Sequence, residues 1–126
     1  MNMVIADTLI ASNSYGVTID SAGICNTILV RTRLIANNIA LSQNKVTNAV
    51  AYTEIENCQI LGGANAVVSD GSNGGSSLVR LSNSTVTGQG GTAFFAQNGG
   101  TIFTRLNNTI EDGQATGTIT GPYSAK

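Results

Sequence analysis

The chain contains no histidine, no tryptophan and only one proline among its 126 residues. Without histidine, a serine or cysteine nucleophile has no imidazole to act as its base. The two cysteines cannot complete a Cys/His zinc site, and the sequence has neither an Asp-rich calcium loop nor a Gly-Lys-Ser/Thr phosphate cradle. We therefore expect no metal site and no cofactor, and the missing histidine argues against an enzyme.

Charge is also scarce, since charged residues make up 10% of the chain and the formal net charge is −1. This balance argues against nucleic acid or an anionic membrane surface as a partner. No apolar run approaches the ~20 residues that span a bilayer, and the start of the chain lacks the basic and long apolar stretches of a secretory signal. Two origins stay open: a complete intracellular product, or a piece of a longer secreted protein.

What the chain has in abundance is Gly, Asn, Ser, Thr and branched apolar residues, and these recur along it. Residues 79–86 (VRLSNSTV) are nearly repeated at residues 104–110 (TRLNNTI). Extending this phase backwards in steps of about 25 residues predicts two apolar columns. The first contains Ile5, Val30, Ile55, Leu81 and Leu106, and the second contains Ile10, Ile35, Ile60, Val86 and Ile110.

The residue types decide which repeat architecture this period indicates. Helical repeats need a 3.6-residue period and leucine-rich repeats need a Leu-x-x-Leu-x-Leu frame, and neither is present. Short alternating stretches broken by glycine turns instead predict an all-β fold, a right-handed parallel β-helix of about five coils in a single domain. The coils are expected near residues 4–23, 27–48, 51–75, 78–98 and 101–120, followed by a tail at 121–126 in which Gly121 and Pro122 end the pairing.

A third column lies two residues after the first and is rich in asparagine: Asp7, Thr32, Asn57, Asn83 and Asn108. Asparagine tolerates the left-handed backbone of a sharp bend and its amide both donates and accepts hydrogen bonds. We therefore predict an asparagine ladder at one bend of the solenoid. Cys25 and Cys58 fall in different phases of the repeat, which favours unpaired thiols.

These motifs, with Gly99-Gly100-Thr101-Ile102 and Asn107-Asn108-Thr109-Ile110 as the best matches, carry a family resemblance. Residues 78–120 resemble the C-terminal coils of bacterial right-handed β-helix repeat proteins of the pectin-lyase-like superfold, most of which are secreted. The resemblance implies the fold but no single activity, because the superfold includes lyases, hydrolases, phage spikes and adhesin passengers.

The resemblance also implies a substrate groove along the third strand of each coil. There we expect Thr18, Ala40, Val67, Phe94 and Thr118 to point outward. Asp20 and Asp70 lie near this groove, roughly 10 Å apart with Lys45 between them, which is at the upper edge for an inverting glycosidase pair. Both aspartates equally suit ordinary turns. The Asp, His and Arg/Lys set of polygalacturonases and pectate lyases is not matched, so we favour a non-catalytic protein.

A second outward face carries charge, because Glu54, Arg80 and Arg105 are expected to stack in one column with Arg31 and Glu56 beside it. The simpler interpretation is a solvated face whose ion pairs contribute under ~1 kcal/mol each. The alternative is that Arg80 and Arg105 form a basic strip for an acidic glycan.

The sequence predicts a structural or interaction module that self-associates as a homo-oligomer, because the coil ends are uncovered and Val67 and Phe94 would be exposed. The alternative is a carbohydrate-binding or polysaccharide-processing domain. In that case Phe94 would stack on the sugar, with Asp20, Lys45 and Asp70 as polar contacts.

Overall fold

The structure is a computed structural model that describes residues 1–45, 49–72, 74–111 and 115–124, and these residues form strands and turns without any helix. The strands are β1 (Asn2–Ala6), β2 (Leu9–Ala11), β3 (Tyr15–Ser21), β4 (Ile24–Val30), β5 (Arg33–Ile35), β6 (Ile39–Lys45), β7 (Val50–Glu56), β8 (Gln59–Leu61), β9 (Asn65–Asp70), β10 (Ser76–Ser82), β11 (Thr85–Thr87), β12 (Thr92–Gln97), β13 (Gly100–Thr104), β14 (Thr109–Glu111), β15 (Ala115–Gly117) and β16 (Gly121–Pro122).

Successive strands are added in turn to three parallel sheets, which we name A, B and C. Sheet A has the order β1-β4-β7-β10-β13-β16, sheet B the order β2-β5-β8-β11-β14 and sheet C the order β3-β6-β9-β12-β15. The predicted all-β parallel solenoid is confirmed. It makes about four turns, slightly fewer than the five coils predicted.

The apolar columns differ from the predicted ones wherever the coil length changes. In sheet A, Ile5, Leu29, Ile55 and Leu81 stack on one another, so Leu29 occupies the place predicted for Val30. Thr104 follows Leu81, whereas Leu106 is 95% exposed. In sheet B, Leu34 and not Ile35 stacks on Ile60. Because the coils differ in length, a constant step of about 25 residues misplaces some positions by one residue. An error of one residue assigns a side chain to the wrong face of its strand.

Two bends in each coil are built from stacked residues in the left-handed conformation. The first bend contains Asp7, Arg31, Asn57 and Asn83, with φ between 47° and 53°. Arg31 therefore occupies the position that the asparagine ladder assigned to Thr32. The second bend contains Ser12, Ala36, Gly62 and Gly88, and each of these donates its backbone N–H to a carbonyl of the next coil.

The residue that follows the first bend turns a polar side chain inward and binds carbonyls within the bend. The Thr32 hydroxyl donates to the carbonyls of Val30 and Ile5, and the Asn108 amide donates to those of Arg105 and Leu81. The carbonyls of Val30 and Leu81 also accept backbone N–H groups, from Asp7 and Arg105, so these side chains add a second hydrogen bond at the bend. Asn108 was predicted as a bend residue of the ladder. It instead follows the bend and hydrogen-bonds to the carbonyls there.

The core runs along the axis of the solenoid and contains the two residues that were expected to form an outer face. Val67 and Phe94 are both 0% exposed and stack on each other in sheet C, so the prediction that they point outward is wrong. Ala40, for which the same was predicted, is buried as well, whereas Thr18 and Thr118 are exposed. The alternation fails because β6, β9 and β12 each turn two consecutive residues inward near their start, an alanine followed by a larger residue.

The cysteines are free thiols buried in different columns, as their phases predict. The chain end departs from the prediction, because Gly121 and Pro122 continue sheet A as β16 beside β13. The backbone N–H groups of Thr120 and Tyr123 donate to the carbonyls of Ile102 and Thr104, so the pairing bypasses the missing donor of Pro122.

Candidate functional site

The outer face of sheet A changes its chemistry from one end of the solenoid to the other. Its central column is Val4, Ile28, Glu54, Arg80 and Phe103, in register from β1 to β13. Toward the first coil this face is apolar and exposed: Val4 is 64%, Ile24 67% and Ile28 39% exposed. Toward the last coil it carries a group of charged and aromatic side chains.

We call this group the Tyr–Arg cluster; it consists of Tyr52, Glu54, Arg80, Arg105 and Tyr123. Alternation along β7 places Tyr52 and Glu54 on the same outer face, and the register places Arg80 opposite Glu54, as predicted. Arg105 was expected in the same column, but Phe103 occupies that place. Arg105 instead follows the end of β13, where its backbone N–H donates to the Leu81 carbonyl.

A chain of hydrogen bonds connects three members of the cluster. Arg80 Nη1 donates to the Tyr52 hydroxyl at 3.0 Å, and that hydroxyl donates to Glu54 Oε1. Burial, together with the hydrogen bond to the Glu54 carboxylate, raises the pKa of Tyr52 to about 12. Tyr52 therefore keeps its proton well above neutral pH, and its hydroxyl can donate to Glu54 while it accepts from Arg80.

The ring of Tyr123 brings the two arginines together. The guanidinium carbons of Arg80 and Arg105 lie 5.3 Å and 4.9 Å from the centre of this ring, and Arg80 also lies 5.3 Å from the centre of the Tyr52 ring. Such cation–π contacts contribute about 0.5–1 kcal/mol each at partly exposed sites. The convergence of Arg80 and Arg105 is therefore produced by the chain end, which supplies Tyr123.

Two adjoining depressions open beside the cluster. One, of about 440 Å³, is lined by Glu54, Arg80, Arg105, Tyr123 and Ser124. The other, of about 600 Å³, is lined by Arg105, Leu106, Asn107, Pro122, Tyr123 and Ser124. The shared walls at Arg105, Tyr123 and Ser124 make them parts of one groove.

The guanidinium groups bordering this groove have unused donors. Among the residues that the structure describes, Arg80 and Arg105 each have an Nε that is shielded from solvent and has no hydrogen-bond partner. Arg80 makes one side-chain hydrogen bond, to Tyr52. Shielded donors without an acceptor are uncommon in folded proteins, and both of these belong to arginines that pack against tyrosine rings.

The aspartates predicted near a groove on sheet C have a different environment. Asp20 is exposed and lies opposite Asn44, while Lys45 lies opposite Ser21, so Lys45 is not the residue beside Asp20. The side chain of Lys45 lies outside the described part of the structure.

Asp70 accepts hydrogen bonds from Gln97, Asn98 and the backbone of Ser72. Partial burial raises its pKa, but the bonds from Asn98, Gln97 and Ser72 outweigh this and leave the pKa below its ordinary value. A glycosidase general acid needs a raised pKa, so Asp70 is suited to a turn and poorly suited to that role.

Arg31 also has a different partner from the one its column suggested. Its Nε and Nη2 donate to the two carboxylate oxygens of Asp7 at 2.7 Å each, and Glu56 contributes only its backbone carbonyl, to the Arg31 N–H. The hydrogen bond from Arg31 lowers the pKa of Asp7. This solvent-exposed pair links the first two coils at their bend.

Sequence reasoning missed both tyrosines of the cluster. For Tyr52 a signal existed, since it lies two residues before Glu54 and therefore on the same face of a strand. For Tyr123 none existed, because its position depends on the pairing of β16 with β13.

Comparisons with protein-family models, curated proteins and solved structures give no match to this chain. In the described ranges, no three His, Cys, Asp or Glu side chains come together in an arrangement that could hold a metal ion. Those ranges also contain no helix long and apolar enough to cross a membrane.

Proposed function

We propose that this chain is a non-catalytic structural module that self-associates through the exposed edge of its first coil. The observation that carries this proposal is a contrast within the inward columns. Ile5 and Ile10 of the first coil are only partly buried, whereas Leu29 and Leu34, which stack on them, are 0% and 1% exposed. No described residue covers the first coil, so the core ends in apolar side chains that are partly exposed.

The backbone of β1 adds polar groups to the same surface. Met1 and Asp7 direct their backbone groups to Asn26 and Val30 of β4. Because backbone groups alternate in direction along a parallel strand, Asn2, Val4 and Ala6 present theirs to the open side. An edge of this kind is a template for pairing with another chain.

A second copy of the chain suits this edge because the exposed apolar face continues from it onto Ile24 and Ile28 of β4. Two-fold dimers are the commonest homo-oligomers, and a two-fold axis would pair the β1 strands antiparallel. Val4 is the middle residue of β1, so it would lie against the same residue of the other copy.

Size-exclusion chromatography with light scattering, over a tenfold range of concentration, tests this arrangement. The unmodified chain is expected to form a dimer or a larger oligomer. Val4→Lys places two like charges together at the axis and is expected to give a monomer. Val4→Glu is expected to do the same, and an equimolar mixture of the two variants to associate again.

Phe95→Lys is the matched control, because Phe95 is an exposed apolar residue on an inner strand of sheet C. This variant is expected to keep the mass of the unmodified chain. A strict monomer at every concentration would exclude self-association. Oligomers that persist in both Val4 variants would move the interface away from β1.

A second candidate function is polysaccharide binding, favoured by the groove beside the Tyr–Arg cluster. The version of this hypothesis based on sheet C loses its stacking residue, because Phe94 lies in the core. The outer face of sheet A instead offers two arginines, an exposed Leu106 and the polar side chains of Asn107 and Ser124 around one groove. The sequence resemblance to bacterial pectin-lyase-like proteins, which include polysaccharide lyases and hydrolases, supports this candidate.

A further inference from the structure

The turn between β12 and β13 consists of Asn98 and Gly99, which are both exposed and both in the left-handed conformation, with φ of 50° and 81°. Asparagine and glycine adopt this conformation more readily than other residues, so the turn favours an Asn-Gly pair. The same pair is the one in which a backbone nitrogen attacks the preceding side-chain amide most easily, because glycine has no side chain to hinder the approach.

The backbone nitrogen of Gly99 has no competing partner. Among the residues with a described structure, none accepts a hydrogen bond from the Gly99 N–H. A β-carbon placed on Gly99 would meet no atom closer than the Gly75 carbonyl oxygen, at 4.0 Å. The nitrogen is therefore both unpaired and sterically open.

The amide of Asn98 is held by the carboxylate of Asp70 in the preceding coil. Asn98 Nδ2 donates to Asp70 Oδ1 at 3.1 Å, and Gln97 Nε2 donates to Asp70 Oδ2 at 2.8 Å. An ionised carboxylate accepts hydrogen bonds but has no proton to give to a leaving amide. Because the bond from Asn98 also fixes the rotation of the amide, Asp70 slows the attack by the Gly99 nitrogen.

This turn packs against the turn of the third coil with no space between the two backbones. A β-carbon on Gly71 would lie 2.7 Å from the Asn98 carbonyl oxygen, and one on Gly100 would lie 2.1 Å from the Ser69 carbonyl oxygen. The Gly71 N–H donates to the Gln97 carbonyl at 3.1 Å. A change in the charge or the backbone length at Asn98 therefore acts directly on the contact between the third and fourth coils.

We propose that Asn98 is a site of self-modification, at which the turn converts its own amide to a carboxylate and thereby loosens the contact between the third and fourth coils. The Gly99 nitrogen forms a bond to Asn98 Cγ, the Cγ–Nδ2 bond breaks, and the amide leaves as ammonia with the proton of the Gly99 nitrogen. Water then opens the cyclic imide at either carbonyl, which gives aspartate or isoaspartate. The new carboxylate repels Asp70 in place of the amide that donated to it, and isoaspartate also adds a methylene to the backbone.

Ageing of the full chain at mildly alkaline pH, followed by trypsin digestion and mass spectrometry, measures the modification. Cleavage after Arg80 and Arg105 isolates Asn98 in the peptide 81–105, whereas the other Asn-Gly pair, Asn73-Gly74, lies in the peptide 46–80. Asn98 is expected to react in the folded chain, several-fold more slowly than in concentrated urea.

Two variants test the restraint by Asp70. Asp70→Ala frees the amide and is expected to raise the rate at Asn98 several-fold in the folded chain. Gln97→Ala is the matched control, because it removes the other side-chain amide that binds Asp70 and keeps the bond from Asn98. Its rate should stay close to that of the unmodified chain.

Thermal unfolding of freshly purified Asn98→Asp measures the consequence for the fold. Two carboxylates then lie in contact, so the Tm is expected to fall by a few degrees. Addition of Asp70→Asn places an amide beside a carboxylate again, and the double variant should recover most of the loss. Asn107→Asp is the matched control: it adds the same charge at an exposed residue whose Oδ1 still accepts the Asn83 N–H, so its Tm should not change.

Three results would contradict the proposal. An Asn98 that stays intact in the folded chain after it has reacted fully in urea would overturn the modification site. Equal rates in the folded chain and in urea would overturn the restraint by Asp70. A Tm of Asn98→Asp equal to that of Asn107→Asp would overturn the loosening of the coil contact, and this comparison does not depend on the stability of Asp70→Ala.

Discussion

Phe94 and Phe95 are neighbours in the sequence, yet their side chains lie in opposite environments. Phe94 is 0% exposed and stacks on Val67, whereas Phe95 is 41% exposed on the outside of sheet C. The choice between them depends on Ala93, which fills the corner before Phe94 and also faces inward. At the scale of single residues, the corner at Ala93 determines which of the two phenylalanines packs in the core.

Substitution of the two phenylalanines by serine measures this difference. Phe94→Ser leaves a cavity and buries a hydroxyl, so we expect it to lower the free energy of unfolding by about 3–5 kcal/mol. Phe95→Ser removes a side chain that is largely in water, and a loss of about 1 kcal/mol or less is expected. Urea unfolding followed by circular dichroism compares them, and equal losses would contradict the assignment of Phe94 to the core.

At the scale of the elements, the bends determine how closely the coils stack. Gly62 and Gly63 form the second bend of the third coil, and both have positive φ. A β-carbon on Gly63 would lie 1.9 Å from the Asn37 carbonyl oxygen of the coil before it. The backbones approach at this position to a distance that only glycine permits.

Gly63→Ala and Gly74→Ala separate this close approach from the conformational cost. Gly74 also has positive φ, but a β-carbon there would meet no atom within 4 Å. Gly74→Ala is expected to cost about 1–2 kcal/mol for the left-handed backbone alone. Gly63→Ala adds about 1–3 kcal/mol of overpacking, so its urea midpoint should fall further. Indistinguishable midpoints would mean that the second bend can open without loss.

At the scale of the whole molecule, stability is expected to vary along the axis. Each coil of a solenoid contacts only its neighbours, so opening starts at an uncovered end. Cys25 lies in the second coil, and Cys58 lies one coil deeper. Both thiols are buried and free. Burial also raises the pKa of Cys58, which reduces its thiolate fraction.

The rate of thiol labelling measures how stability varies along the axis. With iodoacetamide at pH 8, both thiols are expected to be protected in the folded chain, and below the urea midpoint Cys25 should react before Cys58. The variants Cys25→Ala and Cys58→Ala leave one thiol each, so mass spectrometry gives the two rates separately. If Cys58 reacts as fast as Cys25 at every urea concentration, the coils open together and the first coil is not the weak end.

The whole-molecule arrangement also separates the two proposed functions. The edge proposed for self-association is β1, whereas the Tyr–Arg cluster is built from β7, β10, β13 and the residues after β16. Val4→Lys is therefore expected to leave saccharide binding unchanged, and Arg105→Gln to leave the oligomer unchanged.

The sequence by itself determined the all-β solenoid, its three parallel sheets and the polar residues at the bends. Ile5, Ile55 and Leu81 lie in one apolar column, and Asn57 and Asn83 lie at the bend that follows it. Their spacing in the sequence repeats because each coil must place the same kind of residue at the same point of its turn. The repeat period and the residue preferences of strands and bends are read from every coil. The fold class can therefore be recognised even where single positions are misassigned by one residue.

The tertiary structure alone decided the register and the candidate site. Coil lengths differ, so Leu29 replaced Val30 in the core, and a corner turned Phe94 inward. Arg80 and Arg105 meet because Tyr123 docks between them after β16 pairs with β13. These outcomes depend on contacts between residues far apart in sequence, where a shift of one position exchanges the inside of a strand for its outside.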